Sequence, residues 1–513
     1  MSLIDTLARL EAAQDGRARP LATVRHRHLA DHPLVFVPLT TAGEAGAPLG
    51  ALVGSERDAP RLLIVAQPRD RDLRFAFLAE LADIVLPYLE SCADAVEREQ
   101  RKETDPETGR KVSVEVELCA DAPQLLVPGP AAVEYVRLLG RSMRFRRTAE
   151  QDPDAAYPAP PRVPLLGRWL THFGERARVP GSSLLLPMTQ VLSRHWATGQ
   201  SSLEDQHLGA LLAWIDPPAG MSGAQAALRA ETERDAEGLL VRPPAGPATD
   251  PVFDNKRLAP ATARYDAGLP GAEDALRALL ESQLRPTWDA MWRGVDLLRA
   301  LPEGRRVGER WKRDRWSYTA HRDRVRAGEP PQPRRDDAVT AARKLAARET
   351  AQAQLDAQEA LDDPLVMAGR RLAGEAFAGE VTEVVMEFSH TKSPRPRPLV
   401  TFRTDDGPHL AEGAKVHRVL ADGKAQAAEF VAHVPGEPGA LTLRLTGGMG
   451  RGKVPDAGSV PEKGDRICWT LFEHAPRGGP ELPDPERTPW THGGPPGDDG
   501  DPAPDPVTTE DYL

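Results

Sequence analysis

Cysteine is scarce: Cys92, Cys119 and Cys468 are the only three in 513 residues. Three thiols build neither a disulfide framework nor a four-ligand zinc site, and they fit a reduced, cytoplasmic compartment. Long apolar runs are missing as well. No window approaches the ~18 residues of a membrane span, and the N-terminal stretch has no secretory hydrophobic region, so neither a secreted nor a membrane-spanning protein is expected. Hydrophobic residues make up 40% of the chain, below the ~45–50% of globular chains, a range that also counts glycine. No Gly-x-Ser-x-Gly elbow occurs, no cysteine has a dyad partner, and no cofactor motif is present. What is plentiful is proline, 50 residues beside 43 glycines, which predicts irregular connectors between modest cores. At ~100–200 residues per domain the length predicts two to four domains. The formal charge is −11.

The expected class is α+β and multidomain. Residues 1–150 read as an α/β module. Short apolar runs at Leu34–Leu39 and Leu62–Ala66 are strands, the three- and four-residue spacing of Phe75, Leu78, Leu81, Val85 and Leu89 is a helix, and Lys111–Leu118 alternates cleanly as a strand. Prolines 153, 158, 160, 161 and 164 suggest a boundary. Residues 151–242 then read as helical, including Leu184–Trp196 and a helix Ser202–Ile215 capped by Ser202. Residues 243–271, rich in Pro, Gly and Ala, read as a linker. A basic helical segment at 272–373 includes Ala338–Leu361, with nine alanines and no Gly or Pro. Between 374 and 472 six short alternating segments predict a small, closed or nearly closed β-barrel. From Glu473 onward ten prolines, ten acids and two arginines predict a disordered acidic tail.

Apparent motifs fail on context. Gly447–Lys453 has phosphate-loop glycines, but Val454-Pro455 follows where Ser or Thr and a helix N-terminus should stand. His390 and Lys392 begin a phosphodiesterase-like pattern whose acid is replaced by Arg397. Glu204, Asp205 and His207, with His195, are a conceivable metal set, but Asp205 and His207 do not share a helix face, and acids at a helix start explain the carboxylates. No catalytic residue and no metal ligand is assigned.

The informative stretch is Leu284–Arg348, with 17 basic and 9 acidic residues in a chain whose total is −11. Aromatics interleave with cations there, and Arg310, Trp311, Lys312, Arg313, Arg315, Trp316, Arg322 and Arg324 are the candidate nucleic-acid-binding residues. Cations neutralise phosphates and aromatics offer stacking faces to unpaired bases. Two other readings of the same residues stand beside it. One is a helix that buries its tryptophans and pairs its charges internally; the other is a surface that docks an acidic protein segment.

The order of basic helices, a long Ala-rich helix and a small barrel, with the phrases Phe377-Ala-Gly-Glu-Val-Thr-Glu-Val-Val and Glu462-Lys-Gly-Asp-Arg-Ile-Cys-Trp-Thr-Leu, resembles the region before the motor core of superfamily-1 helicases. There a helical stalk carries a barrel that rides over the nucleic acid. The resemblance covers roughly 135 of the 513 residues and ends after Phe472, where an acidic tail stands in place of the motor. It implies a clamp whose ATPase partner lies on another chain. The Ala- and Arg-rich composition suggests a high-GC bacterium. The expected function is therefore a non-enzymatic accessory subunit of a bacterial nucleic-acid-processing assembly, anti-phage defence being one setting for it, with DNA or RNA and a helicase-like ATPase as partners. A hydrolase or nuclease built from Asp205, His207 and His195, and a pure protein–protein adaptor, are the alternatives.

Overall fold

The structure is a computed structural model that describes residues 3–44, 46–104 and 109–476. It is α+β and divides into two compact units, one made mainly of Val24–Arg348 and the other mainly of the residues from Glu349 on. The acidic tail expected from residue 473 lies almost wholly outside the described residues. Among the described residues no helix is long and apolar enough to cross a membrane.

The first unit is organised by a five-stranded sheet. Strands β1 (Leu34–Thr40), β2 (Pro48–Gly54) and β3 (Arg61–Ile64) form an antiparallel meander. Helix α1 (Arg71–Ser91), capped by Asp70 accepting from Leu73 N–H, follows. A two-stranded ribbon comes next, β4 (Val96–Thr104) with β5 (Lys111–Cys119). Strand β6 (Leu125–Val127) pairs parallel to β1, helices α2 (Pro130–Met143) and α3 (Val163–Arg176) intervene, and β7 (Leu185–Pro187) pairs parallel to β6. The sheet order is β3-β2-β1-β6-β7. Alternate residues enter two cores. Leu34, Phe36, Leu125 and Val127 pack with α1, α2 and α3, whereas Val35, Val37, Leu39 and Leu126 pack with α4 (Met188–His195), α5 (Leu208–Ile215) and α6 (Ala272–Arg299). Burial on both faces explains why β1 is apolar without a break. Helix α7 (Val307–Arg326) closes the first core with Trp311 and Tyr318.

Several expectations change here. The proline-rich stretch 151–164 separates no domains, because β7 completes the sheet begun before it. Leu184–Trp196 is not one helix: Leu185 and Leu186 belong to β7, and the helix begins only at Met188 after Pro187. The helix expected from Ser202 starts at Leu208 with His207 as its cap, since a single tight turn at Glu204–Gln206 carries Asp205 inward. Residues 243–271 are not a free linker. Asp250 caps a helical turn at Pro251, and Phe253 and Leu258 are buried in the second core. Gly447–Lys453 is loop and turn with no helix after it, as read from Val454-Pro455.

Helix α8 (Ala338–Asp362) matches the Ala-rich prediction, and α9 (Pro364–Leu372) follows it. The barrel is present and closed. Strands β8 (Ala376–Val385), β9 (Leu399–Thr404), β10 (Lys415–Val419), β11 (Ala425–His433), β12 (Ala440–Leu445) and β13 (Arg466–Thr470) run in the order β8-β9-β12-β11-β10-β13. Phe377, Val381, Val400, Phe402, Val416, Phe430, Leu443 and Trp469 fill its interior. At Gly379 a Cβ would sit 2.0 Å from the Arg403 carbonyl oxygen, so the β8–β9 crossing needs glycine there.

Candidate nucleic-acid interface

Helix α7 holds all eight residues singled out from the sequence, and it turns them in different directions. Its inward row is Val307, Arg310, Trp311, Asp314, Tyr318, His321 and Arg322, a three- and four-residue spacing. Arg310 is 2% exposed and donates to the His26 carbonyl at 3.0 Å. Trp311 stacks on His28 with ring centroids 4.1 Å apart and donates to Asp121 at 2.9 Å. Arg322 is 5% exposed; it donates to the Ala93 carbonyl at 2.6 Å and to Cys119 Sγ at 3.0 Å. Arg315 reaches the Cys119 carbonyl and Glu97, and Lys312 reaches Glu99, so both lean on the β4–β5 ribbon. Arg101 of that ribbon lies over the Trp316 ring at 5.4 Å. Arg313 is half-buried, and burial lowers its pKa. Arg324 is exposed and donates to its own helix at Ala320.

Asp314 anchors this arrangement. It is fully buried and accepts from Arg176 at 2.8 Å, from the Ser182 hydroxyl at 2.7 Å and from Ser183 N–H at 2.6 Å. Beside it His172 and His321 stack in parallel, 4.3 Å apart and 9° from coplanar. Burial drives both imidazoles toward the neutral form, His172 well below its ordinary pKa and His321 to about 3.

The alternation of Lys111–Leu118 puts the β5 valines on one face, and that face is partly open. Val112 and Val114 are 40% and 37% exposed on the two-stranded ribbon.

A second basic and aromatic cluster escaped the sequence reading. Beyond the last β8–β9 pair, Val385 with Leu399, the hairpin continues as a ribbon over 386–397. Ser389 N–H donates to the Arg395 carbonyl at 2.8 Å and Arg397 N–H to the Glu387 carbonyl at 2.7 Å. Met386 and Phe388 are 46% and 48% exposed, and Lys392 and Arg395 are exposed beside them. Glu387 is the single acid in the ribbon. Its signal in the sequence is one aromatic, Phe388, and three cations, Lys392, Arg395 and Arg397, within twelve residues between two alternating segments.

Each acid and histidine of the conceivable metal set makes at least one hydrogen bond within the fold. Asp205 accepts from Thr198 at 2.7 Å and Gln200 at 3.0 Å. His207 Nδ1 accepts from Ala210 N–H, and His195 Nδ1 lies 2.7 Å from the Val191 carbonyl. Among the described residues no group of three His, Cys, Asp or Glu is placed to hold a metal ion. In open α/β sheets, ligands favour the crevice at the carboxyl ends of the strands where the order reverses. At the carboxyl end of β1 the chain pairs with its own 247–249 segment: Thr40 N–H donates to the Pro247 carbonyl and Thr249 N–H to the Thr40 carbonyl.

Comparison with protein families, with curated proteins and with solved structures finds no match to this chain.

Proposed function

We propose that this protein is a non-enzymatic accessory subunit of a nucleic-acid-processing assembly, its barrel touching the nucleic acid and its motor, a helicase-like ATPase, carried on another chain. The observation that supports the reading is the 386–397 ribbon, where exposed Phe388 and Met386 stand among Lys392, Arg395 and Arg397. An aromatic face for a base, with cations for its flanking phosphates, is the pairing that single-strand contact requires. A bacterial setting, including anti-phage defence, belongs to the same proposal. The test is fluorescence anisotropy with single-stranded DNA and RNA oligonucleotides across a salt series. Saturable binding that weakens with salt and is lost in Phe388→Ala/Lys392→Glu/Arg395→Glu supports it; equal binding by that variant overturns it. Copurification of an ATPase that survives nuclease treatment tests the partner.

The exposed Val112 and Val114 face of the β4–β5 ribbon favours a second reading, a protein–protein adaptor. An apolar contact of that kind is far less sensitive to salt.

A further inference from the structure

Three elements of the first unit converge their cations on one cavity of about 260 Å³. Helix α2 contributes Arg137, Arg141 and Arg144, spaced four and three apart and therefore on one face. The C-terminal end of α3 and the residues just after it add Glu175 and Arg178, the stretch before α8 adds Arg334 and Asp336, and the first turns of α8 add Lys344 and Arg348. The lining thus holds seven cations and two carboxylates, in a chain whose total charge is −11.

Backbone packing forces this convergence. Helices α2 and α3 touch through glycines: a Cβ at Gly140 would lie 2.5 Å from Thr171 N, and one at Gly167 would lie 2.5 Å from Arg144 N. The 332–333 backbone is held there by Arg144, which is 4% exposed and donates to the Gln332 and Pro333 carbonyls at 2.9 and 3.4 Å. The two carboxylates are each engaged by one cation, Glu175 by Arg348 at 3.3 Å and Asp336 by Lys344 at 2.6 Å. Like charges gathered around a shared cavity repel one another, and a bound anion relieves that repulsion. Arginine forks suit phosphate oxygens in particular.

We propose that this cavity is a binding site for a compact di- or triphosphate group, either free or carried by a nucleotide. Its size, just under the ~300–1,000 Å³ of ligand pockets, suits the phosphates rather than a whole nucleotide. The site is independent of the nucleic-acid reading of the barrel ribbon, and it involves no catalytic step.

Isothermal titration of the full chain at 150 mM salt tests it, with pyrophosphate, ADP and ATP as ligands and sulfate as the control anion. Saturable pyrophosphate binding at least ten-fold tighter than sulfate is expected. ADP or ATP binding tighter than pyrophosphate assigns the group to a nucleotide; equal affinities assign it to the phosphates alone. Arg178→Glu/Lys344→Glu should weaken binding more than ten-fold. Arg335→Glu/Arg343→Glu, the same charge change outside the lining, should leave it within two-fold. Thermal unfolding of both variants establishes that they fold; if the lining pair does not, Arg178→Gln alone should still weaken binding several-fold. No saturable binding, no preference over sulfate, or equal losses in the two double variants overturns the proposal.

Discussion

Helix α7 and the 386–397 ribbon carry the same mixture of cations and aromatics, yet they spend it in opposite ways. In α7 the guanidinium groups of Arg310 and Arg322 are desolvated and each donates to a main-chain carbonyl, and the Trp311 ring is stacked on His28. In the ribbon Phe388 faces solvent, and so do Lys392 and Arg395. The difference lies in what surrounds each segment. Helix α7 lies against α1, α3 and the β4–β5 ribbon, which offer carbonyls, acids and the Arg176 guanidinium, whereas the described hydrogen bonds of the 386–397 extension run between its own two strands. Basic and aromatic composition therefore identifies a segment with something to bind, but not whether the partner is the protein itself.

The comparison breaks most severely at Asp314. Asp314→Ala removes the acceptor for Arg176, Ser182 and Ser183 and strands a partly buried cation. A loss of ~3–5 kcal/mol is expected, as for one partner taken from a buried pair. Urea unfolding reads this directly, and a loss below ~1 kcal/mol would mean that α7 is not anchored through this carboxylate.

Acid comes next. His172 and His321 are neutral in the folded protein but protonate near 6.5 when unfolded. The folded pKa values are depressed, so the stability these groups contribute is complete above pH 6.5. It is lost progressively as pH falls toward the folded value, about 3 for His321. At pH 5 the expected penalty from His321 is ~2 kcal/mol, from 1.36 kcal/mol per pH unit, and His172 adds to it in the same direction. Thermal unfolding between pH 7.5 and 5 should show a steep fall that His321→Phe makes shallower; an unchanged slope would place the acid sensitivity elsewhere. Of similar size is Arg322→Ala, which frees the buried Ala93 carbonyl at ~1–3 kcal/mol. Chemical denaturation measures that loss, and a value within ~0.5 kcal/mol would return Arg322 to the list of surface cations.

How much of this was written in the sequence varies with the kind of element. The barrel was legible because its strands alternate and its turns carry Asp and Gly, so all six appear near their expected bounds. Strand β7 was not, because three leucines before a proline have no period to separate strand from helix. The segment around Phe253 was missed since two buried anchors, Phe253 and Leu258, are few against its Pro, Gly and Ala. In α7 the residues were found but their direction was not. Arg310 and Asp314 occupy positions of the buried row that a hydrophobic scan reads as solvent-facing, although Val307, Trp311, Tyr318 and Val325 at the same spacing carry the inward face. The phosphate-site candidate was invisible for a different reason. Its cations come from three elements, brought together by glycine contacts that no local pattern announces.

The ribbon gives the smallest effect on stability and the sharpest test of the contrast. Phe388 is half in solvent and supports no core, so Phe388→Ala should change unfolding free energy by no more than ~0.5 kcal/mol. Loss of one base stack should nevertheless cost ~1–3 kcal/mol of single-strand affinity. Lys392, Arg395 and Arg397 together predict a slope of roughly −2 in log K against log salt, from −0.7 per phosphate neutralised. Reversing Lys392 and Arg395 should remove most of that slope, while Lys312→Ala on α7, which removes only the pair with Glu99, should leave it unchanged. If instead Lys312→Ala flattens the salt dependence and the ribbon variant does not, α7 is the face that meets the phosphates, and its ion pairs with the β4–β5 ribbon must open for the nucleic acid to enter.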